Sequence, residues 1–529
     1  MLKPTISAIK SRQNRYDAVI DIRREAIEAT IQTKLRSKRT PFSLQGRPVD
    51  PSHAALPSSS INSLFQTWRE NPATSTPLHI IIPEFRSRAN PPIDELAALF
   101  AASGLNWLVG ALQGASTDYL DEITELFSFL SKVDTPEFSA AVTESGFCPF
   151  LQTLLTGSEL PPPGTVKNIL WFWANLPGES LKERDYLLHL GVLTVVTDYL
   201  TLNAGVDECL ETAAWLLERL TSGLPVPDFV AIHPIIPLLQ PMLDYSLTNR
   251  SGEMQIDLVK VLINLIRFDT GLLQDLLTPQ LLKTVMTCID QTNNTKVTKL
   301  CLNFFIELTN CSNKFCEILL DQGFVDFLES RIRRNFPNNK DEEYVAIVKC
   351  LINLLFGTGR LGQILLSRDF LCEAIKIMID SGVYDVIIEA LFLVANGFYA
   401  ASTFEELIAV GDLDEARDMI FWITGRDPAL SEMILVGLDK ALQLIISNSG
   451  DPSVDRDQLM SFCNAWFLSD TMENVLSDFV SPDREVNPRA FATATGLIDR
   501  IGGLKLIFEM TEDAALQSMR ELIHNKYEF

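Results

Sequence analysis

Three groups of residues in this chain of 529 residues have types that could support catalysis: a glycine-rich stretch, nine cysteines and five histidines. The stretch Gly357-Thr-Gly359-Arg-Leu-Gly362 has the spacing of a dinucleotide-binding loop. Such a loop follows a β-strand, however, whereas residues 351–356 continue a helical pattern. The cysteines form no CxxC pair, and the histidines are far apart in sequence. We therefore expect reduced thiols, no metal site and no cofactor, and we do not expect an enzyme.

A further set of residues recurs at a nearly constant interval. Helical segments align on Ser131, Asn175, Arg219, Asn264, Glu307, Asn353 and Asn396, at intervals of 43 to 46 residues. Glycines that open apolar segments, at positions 146, 191, 323 and 411, follow the same period of about 44 residues or its multiples. Repeats of ~40–47 residues are typical of helical HEAT and armadillo solenoids, in which each repeat packs on its neighbours.

One helix of each repeat carries an apolar face and, away from it, a large side chain followed by a polar one. Apolar residues recur from Val166 at helical spacing and predict a buried face, and Trp171 and Asn175 point away from that face. The same arrangement recurs as Trp215 with Arg219 and as Phe392 with Asn396. We therefore expect these aromatic side chains to be presented on a polar face.

A repeated aromatic–amide pair has a binding interpretation and a structural one. An aromatic face holds the stem and cation of a lysine or arginine, and an asparagine amide both donates to and accepts from a peptide backbone. Repeated along a solenoid, the pair predicts a groove for an extended basic peptide. The structural alternative is that the aromatic rings pack between neighbouring repeats.

The charge distribution favours a basic ligand. The chain has a formal charge of -24, but residues 1–40 contain ten Lys/Arg against four Asp/Glu, which is +6 and leaves -30 for the rest. An acidic body attracts basic peptides, including its own tail, and repels nucleic acid and anionic membranes. No stretch approaches the ~18 apolar residues of a membrane span. Neither nucleic acid nor a membrane is therefore an expected partner.

Several segments resemble the importin alpha family. Residues 168–180, around Trp171 and Asn175, resemble its third armadillo repeat. Residues 211–223, 389–397 and 496–527 resemble its fourth, eighth and tenth repeats, and residues 12–39 resemble its importin-beta-binding segment. The resemblance implies an all-α fold, a right-handed superhelical armadillo solenoid of about ten repeats preceded by a basic segment. We accordingly divide the chain into a binding and autoinhibitory segment at 1–40, a flexible linker at 41–78 and a solenoid at 79–529.

The resemblance also implies a function and its residues. It implies a nuclear import adaptor that shuttles between cytoplasm and nucleus, binds nuclear localisation signals (NLS) of cargo proteins, and meets importin beta and, at its C-terminal repeat, a nuclear export receptor. The major NLS site would comprise Phe127, Ser131, Trp171, Asn175, Glu179, Trp215 and Arg219, and the minor site Asn353, Glu389, Phe392 and Asn396. Importin beta would bind Arg12, Arg15, Arg23, Arg24, Lys34, Arg36, Lys38 and Arg39.

Departures from the family pattern leave two other functions open. Only the third repeat keeps both Trp and Asn; other repeats have Phe127/Ser131, Trp215/Arg219, Lys260/Asn264, Asn303/Glu307 and Lys349/Asn353. Arg219 and Lys349 are expected to repel a lysine-rich cargo. One alternative is an armadillo scaffold of the catenin sort, although the acidic body argues against a groove for acidic partners. The other is a specialised importin alpha with few dedicated cargoes.

Overall fold

The computed structural model describes residues 58–509, apart from short segments at 88–92, 134, 178–180, 204–206, 267–275, 336–340, 356–358, 425–427, 449–453 and 481–487. The described part consists of helices and contains no β-strand. Its helices pack into two units, Met1–Leu300 and Cys301–Phe529, and the division falls within helix α16.

The helices of the first unit are short and follow one another closely. They are α1 Ser58–Glu70, α2 Leu78–Ser87, α3 Ile93–Ser103, α4 Asn106–Leu112, α5 Thr117–Leu130, α6 Pro136–Glu144, α7 Phe147–Thr156, α8 Pro163–Asn175, α9 Lys182–His189, α10 Val192–Leu202, α11 Asp207–Thr221, α12 Phe229–Ile232, α13 Ile236–Thr248, α14 Gly252–Leu265, α15 Pro279–Gln291 and α16 Thr295–Cys311, with a 3-10 turn at His233–Ile235.

The second unit continues the pattern. Its helices are α17 Asn313–Asp321, α18 Phe324–Asn335, α19 Asp341–Leu355, α20 Gly359–Leu366, α21 Phe370–Asp380, α22 Tyr384–Ala400, α23 Phe404–Gly411, α24 Asp414–Ile423, α25 Pro428–Asn448, α26 Arg456–Trp466, α27 Asp470–Phe479 and α28 Pro488–Glu509. No single described helix is long and apolar enough to cross a membrane; α3 and α4, bent by 94°, meet that criterion only when taken together.

Three successive helices form one repeat. Helices α6, α7 and α8 are one example, and α9, α10 and α11 are the next. The chain turns from the first helix into the second at Gly146 and Gly191, whose φ angles of 74° and 75° favour glycine. Serine side chains cap two of the described third helices: Ser116 accepts a hydrogen bond from the amide of Tyr119 at α5, and Ser251 accepts one from the amide of Met254 at α14. The predicted all-α repeat architecture is confirmed.

The third helices lie side by side within each unit. In the first unit, α5 contacts α8, α8 contacts α11 and α11 contacts α14; in the second, α19, α22, α25 and α28 follow one another in the same way. We call these two sets the third-helix row of unit 1 and the third-helix row of unit 2. Because the predicted peptide-binding residues lie on third helices, these rows position the candidate site.

The predicted linker at 41–78 is wrong for its second half. Residues 58–70 form α1, and Ile61, Phe65 and Trp68 are buried. Phe65 and Trp68 make edge-on ring contacts with Phe100 at 5.1 and 5.7 Å. Burial of these rings outweighs the Pro, Ser and Thr content that suggested a linker. Residues 41–57 lie outside the described residues.

Candidate functional site

Two tryptophans from neighbouring repeats form the centre of the site in unit 1. Trp171 of α8 and Trp215 of α11 have ring centroids 4.8 Å apart, with an angle of 59° between the ring planes. They are 6% and 2% exposed, so only an edge of the pair reaches the surface. A lysine stem sandwiched between two rings needs a centroid separation of roughly 7–8 Å, twice a carbon contact distance. The structure therefore corrects the expectation of presented rings separated by a side-chain slot.

The indole N–H of Trp171 has no acceptor. Its Nε1 atom is buried and has no hydrogen-bond partner in the described structure. A buried donor without a partner costs about 1–3 kcal/mol, and native proteins rarely leave one without reason. Trp171 Nε1 is therefore an unsatisfied buried donor beside the tryptophan pair.

The asparagines connect neighbouring repeats. Asn175 is fully buried, and its Nδ2 atom donates to the hydroxyl of Ser131, 44 residues earlier, at 3.0 Å. Asn264 donates in the same way to the hydroxyl of Thr221 at 3.3 Å. In unit 2, Asn353 donates to the hydroxyl of Thr309 at 3.1 Å. The periodic asparagines and hydroxyls thus hold third helices in register, which is a structural role that the aromatic–amide interpretation did not include.

Phe127 is not part of a presented aromatic face, and that prediction is wrong. Its side chain is 0% exposed. Its ring contacts four other rings of the core: Phe147 at 4.2 Å, Phe100 at 5.3 Å, Phe172 at 5.7 Å and Phe138 at 6.5 Å. Because α6 and α7 close over this side of α5, the angular position that exposes an edge of Trp171 on α8 places Phe127 in the core.

Arg219 is also placed differently from the expectation. It is 7% exposed, and its guanidinium donates to the backbone carbonyl of Pro177 in the preceding repeat. The acceptor is a neutral carbonyl, so the guanidinium keeps its positive charge, and the expectation that Arg219 repels basic cargo stays a prediction. The structure adds a second role, because this hydrogen bond joins two repeats.

The two lysines at family tryptophan positions are paired with carboxylates. Lys260 Nζ lies 3.7 Å from Glu218 Oε1 on α11 and 3.9 Å from Asp257 Oδ1 on its own helix. In unit 2, Lys349 Nζ lies 3.2 Å from Glu389 Oε1 on α22. Both lysine side chains are about one-third exposed. Neither Glu218 nor Asp257 was predicted to be part of the site, although the i, i+3 spacing of Asp257 and Lys260 indicates an ion pair on one helix.

The candidate minor site in unit 2 has polar atoms without partners. Phe392 is partly exposed, and Asn396 donates to its backbone carbonyl at 2.7 Å. Asn396 Oδ1 and Glu389 Oε2 are buried, and neither has a hydrogen-bond partner among the described residues. An amide oxygen accepts a backbone N–H, and a carboxylate oxygen accepts from an ammonium or guanidinium group. These atoms therefore suit an extended cationic chain.

An acidic cluster on α5 adjoins α2. Arg86 of α2 donates to both carboxylate oxygens of Glu125, and this bond raises the pKa of Arg86. His79 Nδ1 lies 2.9 Å from Glu122 Oε1. Burial raises the pKa of Glu122, while proximity to His79 lowers it. This cluster, which the sequence analysis did not identify, extends the negative surface to the start of the row.

Other predicted site residues lie outside the described residues. They are Glu179 of the major site and the importin-beta-binding residues Arg12, Arg15, Arg23, Arg24, Lys34, Arg36, Lys38 and Arg39. Their roles stay predictions. The structure thus brings together Trp171, Trp215, Asn175 and Ser131 in unit 1, and Glu389, Phe392 and Asn396 on one helix in unit 2.

Comparison with known proteins supports one family. The chain is 30% identical over 106 residues to importin subunit alpha-1b of Oryza sativa subsp. japonica, covering 20% of this chain and 19% of that protein. It is 23% identical over 257 residues to importin subunit alpha-2 of Arabidopsis thaliana, covering 45% and 44%. The chain thus spans less than half the length of these curated relatives. No family model matches the chain.

A solved structure shares the fold. A crystal structure of an engineered protein matches 84% of this chain and 98% of its own chain, with a TM-score of 0.60 and 17% sequence identity. At that identity the likeness is one of fold. Together with the 44-residue, three-helix repeats, this likeness shows an all-helical armadillo-repeat fold, and parts of the chain are similar to importin alpha subunits.

Proposed function

We propose that this armadillo protein is a nuclear import adaptor that binds basic nuclear localisation signals of cargo proteins along its third-helix rows. Residues 12–39 link the adaptor to importin beta, and the protein shuttles between cytoplasm and nucleus, leaving the nucleus with an export receptor bound near residues 496–529. An armadillo scaffold or adaptor is the coarser function that the relatives and the fold support. The following observations support the finer one.

The observation that carries the proposal is the position of buried polar atoms without partners. Eight buried side-chain atoms in the described part of the chain have no hydrogen-bond partner, and three of them, Trp171 Nε1, Glu389 Oε2 and Asn396 Oδ1, belong to residues that the sequence predicts to bind peptide. Trp171 would donate to a peptide carbonyl, Asn396 would accept a peptide N–H, and Glu389 would accept from a lysine or arginine. This donor and these two acceptors complement a basic peptide in an extended conformation.

Charge supports the same ligand. The chain carries -24 overall; because Glu218 and Asp257 pair with Lys260 and Glu389 pairs with Lys349, the support comes from this net charge and not from these carboxylates. An acidic surface raises the association rate of basic partners and disfavours acidic ones. A scaffold for acidic tails would need the opposite charge.

We predict that the basic tail competes with cargo for the third-helix rows. Because residues 1–40 carry +6 and the remainder -30, Lys34 to Arg39 would occupy the site that a cargo peptide uses. Deleting residues 1–40 should tighten binding of a fluorescent basic peptide by roughly threefold to tenfold and should abolish binding to purified importin beta. Fluorescence anisotropy measures the first and a pull-down the second.

Deletion of residues 1–11 is the matched control for this experiment. It removes Lys3 and Lys10 but keeps Arg12 to Arg39, so both affinities should stay close to those of the full chain. If deletion of residues 1–40 leaves both affinities unchanged, the proposed competition and the proposed link to importin beta are both wrong.

A further inference from the structure

Lys260 and Lys349 each occupy a site where a basic peptide would place a cation. Lys260 Nζ lies between Glu218, which is 5% exposed, and Asp257, which is fully buried. Lys349 Nζ lies 3.2 Å from Glu389, whose second carboxylate oxygen is buried without a partner in the described structure. In both places the ammonium group comes from the protein itself. A lysine of a bound peptide at the same place would have to displace the ammonium group of the protein, or would be repelled by it.

We infer that Lys260 and Lys349 act as built-in substitutes for cargo lysines and thereby determine which basic peptides this protein accepts. The inference rests on the proposed peptide-binding function and adds its specificity. Peptides with a short basic cluster at the Trp171 and Trp215 pair would bind, and additional lysines that reach Lys260 would contribute nothing. The accepted class is therefore a compact basic cluster flanked by neutral or acidic residues.

The spacing between the two positions follows from helix packing. Trp215 lies on α11 and Lys260 on the adjacent helix α14 of the same row. Packed helix axes are about 8–10 Å apart, and an extended peptide advances about 3.3 Å per residue. One step along the row therefore corresponds to about three peptide residues. A peptide lysine about three residues beyond the basic cluster would meet Lys260.

Each lysine pairs with a carboxylate on a neighbouring helix, although Glu389 Oε2 keeps no partner in the described structure, so a simple charge count does not describe these sites. A buried carboxylate without a partner is costly, so removing the lysine entirely would destabilise its surroundings. Glutamine is the suitable replacement, because its amide still donates to the carboxylate but carries no charge. With glutamine at position 260 or 349, the negative charge becomes available to a peptide lysine.

Two labelled peptides test the inference on the full chain. One carries three consecutive lysines flanked by alanine and serine, and the other adds a lysine three residues beyond the cluster on each side. The unaltered protein should bind both with equal affinity within about twofold. Lys260→Gln should tighten binding of the longer peptide by roughly threefold to tenfold and leave the shorter one unchanged. Lys349→Gln should do the same at the weaker site of unit 2.

Lys283→Gln and Lys376→Gln are matched controls. Both lysines are exposed on helices outside the third-helix rows, and each substitution removes the same positive charge as Lys260→Gln. Raising the salt concentration should reduce the gain of Lys260→Gln. If Lys260→Gln gains no more than Lys283→Gln, or gains equally for both peptides, the inference is overturned. If no protein binds either peptide, the proposed function itself is overturned, which is a different outcome.

Discussion

Replacing Phe127 by alanine should lower the free energy of unfolding by about 3–5 kcal/mol, the usual cost of removing a fully buried aromatic ring. The ring is 0% exposed and contacts Phe147 at 4.2 Å, with Phe100, Phe172 and Phe138 around it. Truncation leaves a cavity that these rigid neighbours fill only partly. Denaturant unfolding followed by circular dichroism measures the loss as a lower midpoint.

Phe150→Ala provides the matched control for that measurement. Phe150 lies on α7 of the same unit and is partly exposed, so its truncation should cost clearly less. Peptide affinity distinguishes the two possible roles of Phe127. Below the unfolding transition, folded Phe127→Ala protein should bind a basic peptide as the unaltered chain does. If the folded Phe127→Ala variant binds the peptide tenfold more weakly, Phe127 contributes to peptide binding after all.

Trp171→Ala should weaken binding of a basic peptide by roughly tenfold or more. Two contributions are lost together: the unpartnered N–H donor, and the packing of Trp171 against Trp215, whose ring centroid lies 4.8 Å away. Glu179→Lys should weaken binding further, because the family resemblance assigns Glu179 to the best-held ammonium group and the substitution reverses its charge. Fluorescence titration at low and moderate salt measures both losses.

Trp171→Phe separates the contributions of the ring and of the donor. Phenylalanine keeps an aromatic face against Trp215 but has no N–H group. We expect a loss smaller than that of Trp171→Ala and insensitive to salt, since the missing contact is to a neutral peptide carbonyl. If Trp171→Ala binds as tightly as the unaltered protein while remaining folded, the tryptophan pair has only a structural role.

The repeat architecture was predictable because the interval between equivalent residues can be measured within a single sequence. Ser131 and Asn175 were aligned by their interval alone, and the structure joins them by a hydrogen bond. Helix α1 was also predictable in principle, because Ile61, Phe65 and Trp68 recur at helical spacing. The linker prediction instead relied on the Pro, Ser and Thr residues around this segment.

The orientation of side chains on the third helices was less predictable. The spacing of residues in the sequence gives the angular position of each side chain around the helix axis. It does not give the packing, because a third helix contacts the adjacent third helices of its row and also the other helices of its own repeat. Which face is open therefore depends on the packing of other segments. Phe127 and Trp171 occupy equivalent positions in successive repeats, yet one is enclosed by four rings and the other keeps an exposed edge.

Charge pairing between repeats was likewise not available from the sequence. Arg219 and Lys349 were expected to oppose basic cargo because both are positively charged and lie at groove positions of the family pattern. Arg219 instead bonds the carbonyl of Pro177, and Lys349 pairs with Glu389, 40 residues later in the chain. Such contacts depend on how neighbouring repeats pack, which local sequence patterns do not determine.

We propose that this protein binds basic peptides mainly at the Trp171 and Trp215 pair and more weakly at Phe392. Titration of one labelled basic peptide against the full chain, Trp171→Ala and Phe392→Ala tests this proposal, with an acidic peptide of equal length as competitor. We expect saturable binding to the full chain, no competition by the acidic peptide, and a larger loss of affinity for Trp171→Ala than for Phe392→Ala. Loss of affinity only in Phe392→Ala, or equal competition by the acidic peptide, would contradict it.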